Sequence, residues 1–307
     1  MRTLTASFPV TIDHKHGRTT IPQAPKRIVV VGQREQDALL ALGIRPVAAT
    51  KFFDGSSAIR PWARERLGAG KVPVELDPTD GIQVERVAAQ RPDLILGLFS
   101  GMTKAEYAQL SRLAPTVAQP KGKPDYGEDW RAETVAVGRA VGREQAARDL
   151  VRRAEGQLAA AAREHPEFKG QTAAVAAPYR GTFVYGSSDP RPRLLADLGF
   201  ALPPAIDRIA RNRYGGQLSD ERLDVLDVGT LVWLADDEDA AQVRAGSLYR
   251  RLDVRREGRD VFIGPDDMLY NATSAVTVLS LQPILERYVP LLAAAADGDP
   301  ATTATPR

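Results

Sequence analysis

The chain has 307 residues, 43% hydrophobic and 26% charged, with a formal net charge of +2. This is a soluble globular composition, long enough for one large domain or two ordinary ones, and it has no dense Lys/Arg block of the kind that marks a nucleic-acid binder. Cysteine is absent, which excludes disulfides, thiol catalysis and cysteine-held metal, and no run reaches the ~18 apolar residues of a membrane helix.

The opening MRTLTASFPVTIDHKHG lacks the apolar core of a signal peptide. The expectation is either a cytoplasmic protein or one whose export signal lies outside this sequence. Residues 10–14 alternate, turn at Gly17 and resume at 19–22, which predicts a hairpin. Ile28-Val29-Val30-Val31 is a continuous apolar run, as in a strand covered on both faces. A helix is predicted over 33–42 with Gly43 as its cap, then a strand within 44–50. Short helices fit 61–67 and 82–90, the second stopped by Arg91-Pro92. A buried strand at 93–98 leads through the loop Phe99-Ser100-Gly101-Met102 into a helix over 103–113 and a strand at 114–117. Alternation of this kind predicts parallel βαβ units, whose strand-end loops face a ligand crevice.

Residues 128–165 are rich in Ala, Arg and Glu, and the spacing predicts one helix of ~34 Å over 143–165, with breaks at Gly138 and Gly142. Strands follow at 172–177 and 183–186, a helix at 191–198 closed by Gly199, a short helix at 220–226 and strands at 230–235 and 260–263. A final helix over 274–294 should bend at Pro283. The organisation is α/β, with an N-terminal lobe over 1–140, a linking helix over 141–166, a C-terminal lobe over 167–296 and a disordered tail over 297–307.

No GxGxxG follows the first buried strand, where the chain reads Gly32-Gln33-Arg34-Glu35, and neither GxxxxGK[ST] nor GxSxG occurs. His14 and His16 read as an exposed hairpin pair and not as metal ligands, and His165 as a helix-end residue on the dipole. The run Asp236-Asp237-Glu238-Asp239 reads as a helix cap. Aromatics and arginines recur at predicted strand ends: Phe52 and Phe53 with Arg60 and Trp62, then Phe99, then Tyr179, Arg180, Phe183 and Tyr185, then Arg211, Arg213 and Tyr214, then Tyr270. Arginine neutralises an anionic, oxygen-rich ligand and aromatics supply apolar walls.

From about Val10 to Ala294 the sequence resembles the siderophore-binding branch of the substrate-binding proteins of bacterial ABC importers. The matching pieces, in order, are Pro25-Lys26-Arg27-Ile28-Val29, residues 37–47 (DALLALGIRPV), 91–96 (RPDLIL), 110–117 (LSRLAPTV), 195–200 (LADLGF) and 218–233. The resemblance implies two Rossmann-like lobes with mostly parallel sheets, joined by one rigid helix, and a ligand cleft between them. It implies no cofactor and no enzymatic activity. It also implies one exposed glutamate on each lobe that docks on permease arginines, and Glu106 and Glu221 are the positional matches. Location follows from the resemblance alone: extracytoplasmic, periplasmic or tethered through a lipid anchor that lies outside this sequence.

The expected function is therefore capture of a ferric siderophore by a monomeric receptor, with iron held by the chelate and not by protein atoms. Phe52, Phe53, Trp62, Phe99, Tyr185, Tyr214 and Tyr270 would line the ligand, and Arg60, Arg180, Arg211 and Arg213 would meet its oxygens. A hydroxamate is favoured, because a tris-catecholate complex at −3 asks for a denser basic pocket. The rivals are a cobalamin or haem receptor, with Met102 and Tyr270 as available iron ligands, and a chelatase or siderophore-processing enzyme on the same scaffold.

Overall fold

The structure, a computed structural model, describes residues 8–52, 57–211, 214–299 and 302. By its contacts the chain divides into two compact units. Unit 1 is Met1–Ala154 with Thr277–Leu279, and unit 2 is Glu155–Val276 with Ser280–Arg307.

In unit 1 the hairpin of β1 (Val10–His14) and β2 (Gly17–Ile21) precedes a five-stranded parallel sheet. Its strands are β3 (Ile28–Val30), β4 (Ala48–Thr50), β5 (Val74–Leu76), β6 (Leu94–Gly97) and β7 (Thr116–Ala118), in the order β5-β4-β3-β6-β7. Strands β3 and β6 are buried at every position, as runs of Val, Ile and Leu must be when helices cover both faces. The helices are α1 (Glu35–Ala41), α2 (Arg64–Leu67), α3 (Val84–Ala89), α4 (Lys104–Leu110) and α5 (Trp130–Ala140). The strand order reverses direction between β3 and β6, so their carboxyl-end loops flank the switch point where open α/β sheets bind ligands.

Helix α6 (Glu144–Glu164) is the long helix expected, and the boundary of the units falls inside it. Of the two predicted breaks, only Gly142 is one, at φ +71°. Gly138 stays inside α5 because Ala147 packs where its Cβ would stand, 2.3 Å away.

Unit 2 holds the second sheet: β8 (Ala173–Ala177), β9 (Thr182–Tyr185), β10 (Gly215–Leu218), β11 (Thr230–Leu234) and β12 (Asp260–Ile263), in the order β10-β9-β8-β11-β12. Strands β8, β11 and β12 run parallel, while β9 runs antiparallel to both its neighbours. Around it lie α7 (Pro190–Asp197), α8 (Pro204–Ala210), α9 (Asp237–Ala245), α10 (Asp253–Arg256) and α11 (Met268–Ala275). The core centres on Trp233, whose indole donates to Tyr249 Oη at 2.9 Å, which donates in turn to Asp260 at 2.7 Å.

Two strands escaped the sequence reading, and the last helix needs correction. The edge strands β5 and β10 carry no alternation; Val74 is exposed, and Gly215-Gly216 reads as a turn. A Cβ at Gly216 would stand 2.7 Å from the Ile209 carbonyl, so the close packing of α8 on β10 requires glycine there. The last helix does not start at 274. Helix α11 ends at Val276, which sits at φ +38°, and helix resumes as α12 (Leu281–Pro283), a π-turn (Ile284–Tyr288) and α13 (Val289–Ala296). The expected bend at Pro283 is thus a π-turn that begins just after it. Most of the predicted tail lies outside the described residues. Among the described residues no helix is long and apolar enough to cross a membrane.

Candidate functional site

At the switch point of unit 1 the chain after β3 turns directly into α1, and five polar residues in a row are buried: Gln33, Arg34, Glu35, Gln36 and Asp37. Burial of charge is costly unless every group is paired. Glu35 accepts from Phe99 N at 2.9 Å and from Arg34 N at 3.1 Å, which ties the loop after β6 to the start of α1. Arg34 Nε donates to Glu133 Oε2 on α5 at 2.7 Å, and its Nη2 donates to the Glu128 carbonyl at 2.6 Å. Its guanidinium lies 3.7 Å from the centroid of the Phe99 ring, which meets Tyr126 edge-on at 5.5 Å.

Desolvation dominates the carboxylates here. Burial pushes Glu133 up to about 8 against the pull of Arg34, and pushes Asp37 and Glu128 upward too. Asp37 Oδ2 accepts from Trp62 Nε1 at 2.7 Å and from Thr277 Oγ1 at 2.5 Å.

Sequence reasoning placed Phe52, Arg60, Trp62 and Phe99 against the ligand. The structure brings Arg60 over Phe52, 4.5 Å from its centroid. It also buries both, with Phe52 at 6% and Arg60 at 4% exposure, and Phe99 is 3% exposed. These three side chains pack inward, and Trp62 is half-buried. Phe53 and Arg213 lie outside the described residues.

Unit 2 presents a different surface. Phe183 stands at the centre of an aromatic patch, with Tyr185 at 5.1 Å, Tyr214 at 5.8 Å and Tyr179 at 6.4 Å. Phe183 and Tyr185 share a face of β9 by their two-residue spacing, and Gly215 on β10 leaves room for the Phe183 ring. Tyr179 and Tyr214 are 58% and 54% exposed. Arg180 lies in the left-handed region at φ +52° with its guanidinium 5.4 Å from the Tyr179 ring. Backbone strain of this kind at a non-glycine residue collects at ligand-binding loops. Under the patch, Arg191 is held bidentately by Asp189 at 2.9 and 3.0 Å, donates to Ser274 at 2.7 Å and covers Tyr185 at 4.3 Å. Burial raises the Tyr185 hydroxyl, and Arg191 opposes it. Arg211 is exposed beside an open hollow that Arg208 and Arg222 also line, and Tyr270 is half-buried on α11.

Glu106 departs from the exposed carboxylate expected of it. It is half-buried, and its Oε2 accepts from Thr103 N and Oγ1, both at 2.7 Å, closing a capping box at the start of α4. Glu221 is exposed in the 3-10 turn Asp220–Leu226, as expected. The histidine pair is also corrected. His14 is 3% exposed and bonded to Thr19 at 2.9 Å, while His16 meets the Met102 carbonyl at 3.0 Å. His165 bonds Glu167 at 2.8 Å and stacks on Phe168. Met102 is core, 1% exposed, so it is no haem ligand in this structure. Asp236 caps α9 as expected. Among the described residues no group of three or more His, Asp or Glu side chains is placed to hold a metal ion.

Arg34, Tyr126, Glu133 and Arg191 were missed. For Arg34 the sequence signal was the unbroken polar run Gln33 to Asp37 soon after a buried strand, where a loop at the switch point is due; the other three carried none.

The sequence profile of the family described as Periplasmic binding protein matches residues 28–266. A 112-residue segment is 40% identical to the "Probable siderophore-binding lipoprotein YfiY" of Bacillus subtilis (strain 168), covering 35% of this chain and 32% of that protein. The chain spans less than half the length of the first curated relatives it matches. Among solved structures, a periplasmic solute binding protein from Mycobacterium smegmatis superposes with a TM-score of 0.80 at 31% identity, over 94% of this chain and 98% of that one. PiaA of Streptococcus pneumoniae TIGR4, in complex with ferrichrome, gives a TM-score of 0.84 at 25% identity, over 94% and 99%.

Proposed function

Because the chain belongs to the periplasmic binding protein family, a family of substrate-binding proteins and not of enzymes, we propose that it is the extracytoplasmic receptor of an ABC importer for a ferric siderophore. The observation that carries this reading is the aromatic patch in which exposed Tyr179 and Tyr214 flank half-buried Phe183 and Tyr185, with Arg180 at its edge. Such a surface suits a chelate whose outside is apolar and whose iron-bound oxygens carry partial negative charge. The iron is held by the chelate's own oxygens. A hydroxamate is the preferred class, since a tris-catecholate complex at −3 asks for a denser basic pocket. PiaA, crystallised with ferrichrome, is a relative that supports this preference.

Delivery to a permease is the second half of the proposal. Glu221 is the exposed docking carboxylate of unit 2, and Glu106 is its counterpart in unit 1, with part of its capacity spent on the helix cap. The receptor acts as a monomer, reaching the membrane through the permease or a lipid anchor.

The test is tryptophan fluorescence during titration with ferric hydroxamates, ferric catecholates, iron-free siderophores, haem and cobalamin. Trp130 and Trp233 are buried and Trp62 is half-buried, so all three give an emission that iron chelates quench. Saturable quenching at sub-micromolar ferric hydroxamate supports the reading. Response to haem or cobalamin alone, or hydrolysis of the chelate, overturns it.

A further inference from the structure

Unit 1 contains a cavity of about 160 Å³ at the carboxyl ends of β3, β4 and β5, beside the Phe99 loop. An engineered cavity of about 150 Å³ holds a benzene-sized molecule, so this one has room for a short alkyl chain and its head group. Part of the wall is apolar, from Val31, Leu76 and Ile82.

The polar part of the wall has a definite sign. Asp77 and Glu106 both line it, and among the described residues no lysine or arginine does. Two hydroxyls spend their protons on backbone carbonyls, Thr50 Oγ1 on Val30 at 3.2 Å and Ser100 Oγ on Gly97 at 2.8 Å, and the Tyr126 hydroxyl completes the polar wall. Glu106 Oε1 has only a long contact, 3.5 Å from Ile82 N, while Oε2 carries the helix cap. Asp77 Oδ1 is taken by Thr79, which leaves the rest of the carboxylate for the cavity.

Gln33 is an independent observation. It lines the same cavity, is 5% exposed, and its buried Oε1 has no hydrogen-bond partner. A buried acceptor without a donor is costly, and one that faces a cavity is satisfied by a donor that enters it. Two carboxylates, an orphaned acceptor and an apolar wall together select a cation that donates several hydrogen bonds from the end of a hydrocarbon stem.

We propose that this cavity receives a primary alkylammonium arm of the chelate, with its methylenes against Val31, Leu76 and Ile82 and its ammonium among Gln33, Asp77 and Glu106. This rests on the ferric-siderophore reading above and narrows it to chelates that end in a free amine. A charge-assisted hydrogen bond is about twice as strong as a neutral one, so losing the ammonium should be plainly measurable.

The experiment compares a linear ferric tris-hydroxamate bearing a free terminal amine with the same chelate N-acetylated, both titrated by tryptophan quenching at neutral pH. The expected result is about tenfold tighter binding of the amine form, and a ratio near one in the Asp77→Asn, Glu106→Gln double variant. Both replacements keep an acceptor for the local caps, and the wild-type ratio needs no variant at all. Equal affinity of the two chelates in the wild type overturns the proposal and leaves the siderophore reading standing. A ratio that survives in the double variant also overturns it, because the amine then lodges elsewhere. Binding of neither chelate overturns both readings.

Discussion

Each unit sets an arginine over an aromatic ring, and the two arrangements have opposite character. In unit 1, Arg34 lies on Phe99 with both buried, and the guanidinium donates to the Glu133 carboxylate and the Glu128 carbonyl. In unit 2, Arg180 lies on Tyr179 with both exposed, at the edge of the Phe183 patch. The difference shows which motif is scaffold and which is surface. A buried guanidinium has spent its hydrogen bonds on fixing the loops after β3 and β6, whereas exposed tyrosines keep their faces for a ligand. Residue types alone would rank the two sites as equals.

The largest expected effect breaks the comparison on the scaffold side. Arg34→Ala, measured by urea unfolding above pH 8 where Glu133 is ionised, should cost about 3–5 kcal/mol, because it leaves a buried carboxylate without its cation. Tyr179→Ala with Tyr214→Ala should change stability by only about 0.5 kcal/mol at each site, yet weaken ferric-chelate binding about tenfold or more. If Arg34→Ala leaves stability intact, or the tyrosine pair unfolds the protein, the assignment of roles is reversed.

The pH dependence sharpens the same contrast. Burial raises Glu133 to about 8 from 4.5, so the folded state keeps a proton that the unfolded chain releases. That contribution to stability is fully present below about pH 4.5 and declines as pH rises, gone by about pH 8. Asp37 and Glu128 are raised as well and act in the same direction. Melting temperature should therefore fall between about pH 5 and 8, by about 2–4 °C for each kcal/mol lost, and Glu133→Gln should flatten the curve. A wild-type curve that rises across this window would mean that Arg34 outweighs desolvation and holds Glu133 ionised.

Much of the fold was legible because long apolar runs leave few choices. Ile28-Val29-Val30, Leu94-Ile95-Leu96 and Thr230 to Leu234 fit only buried strands between helices, and Gly43 and Gly199 mark helix ends by their left-handed backbone. Two of the four edge strands of the five-stranded sheets were illegible, since Val74-Glu75-Leu76 and Gly215 to Leu218 gain their pairing from neighbours distant in sequence. The aromatic patch of unit 2 was half legible: Tyr179, Arg180, Phe183 and Tyr185 are close in sequence, but Tyr214 joins them only through the pairing of β9 with β10. Arg34 was hidden for another reason. Its partner Glu133 is 99 residues away, and an arginine after a strand reads as solvated charge until the helix that covers it is known.

The smallest expected effect separates a local role from a docking role within one residue. Glu106→Ala opens the capping box of α4 and should cost about 1 kcal/mol, whereas Glu106→Gln keeps an acceptor for Thr103 N and should cost little. Glu221→Ala touches no cap and should leave the melting temperature unchanged. In a transport assay with the partner permease, Glu221→Ala should reduce uptake while chelate affinity holds, because an exposed charge that steers docking acts on the complex and not on the fold. Glu106→Gln then isolates the charge. Reduced uptake with an intact helix and unchanged chelate affinity means that the carboxylate reaches the permease in addition to its cap, and unchanged uptake means that docking rests on Glu221.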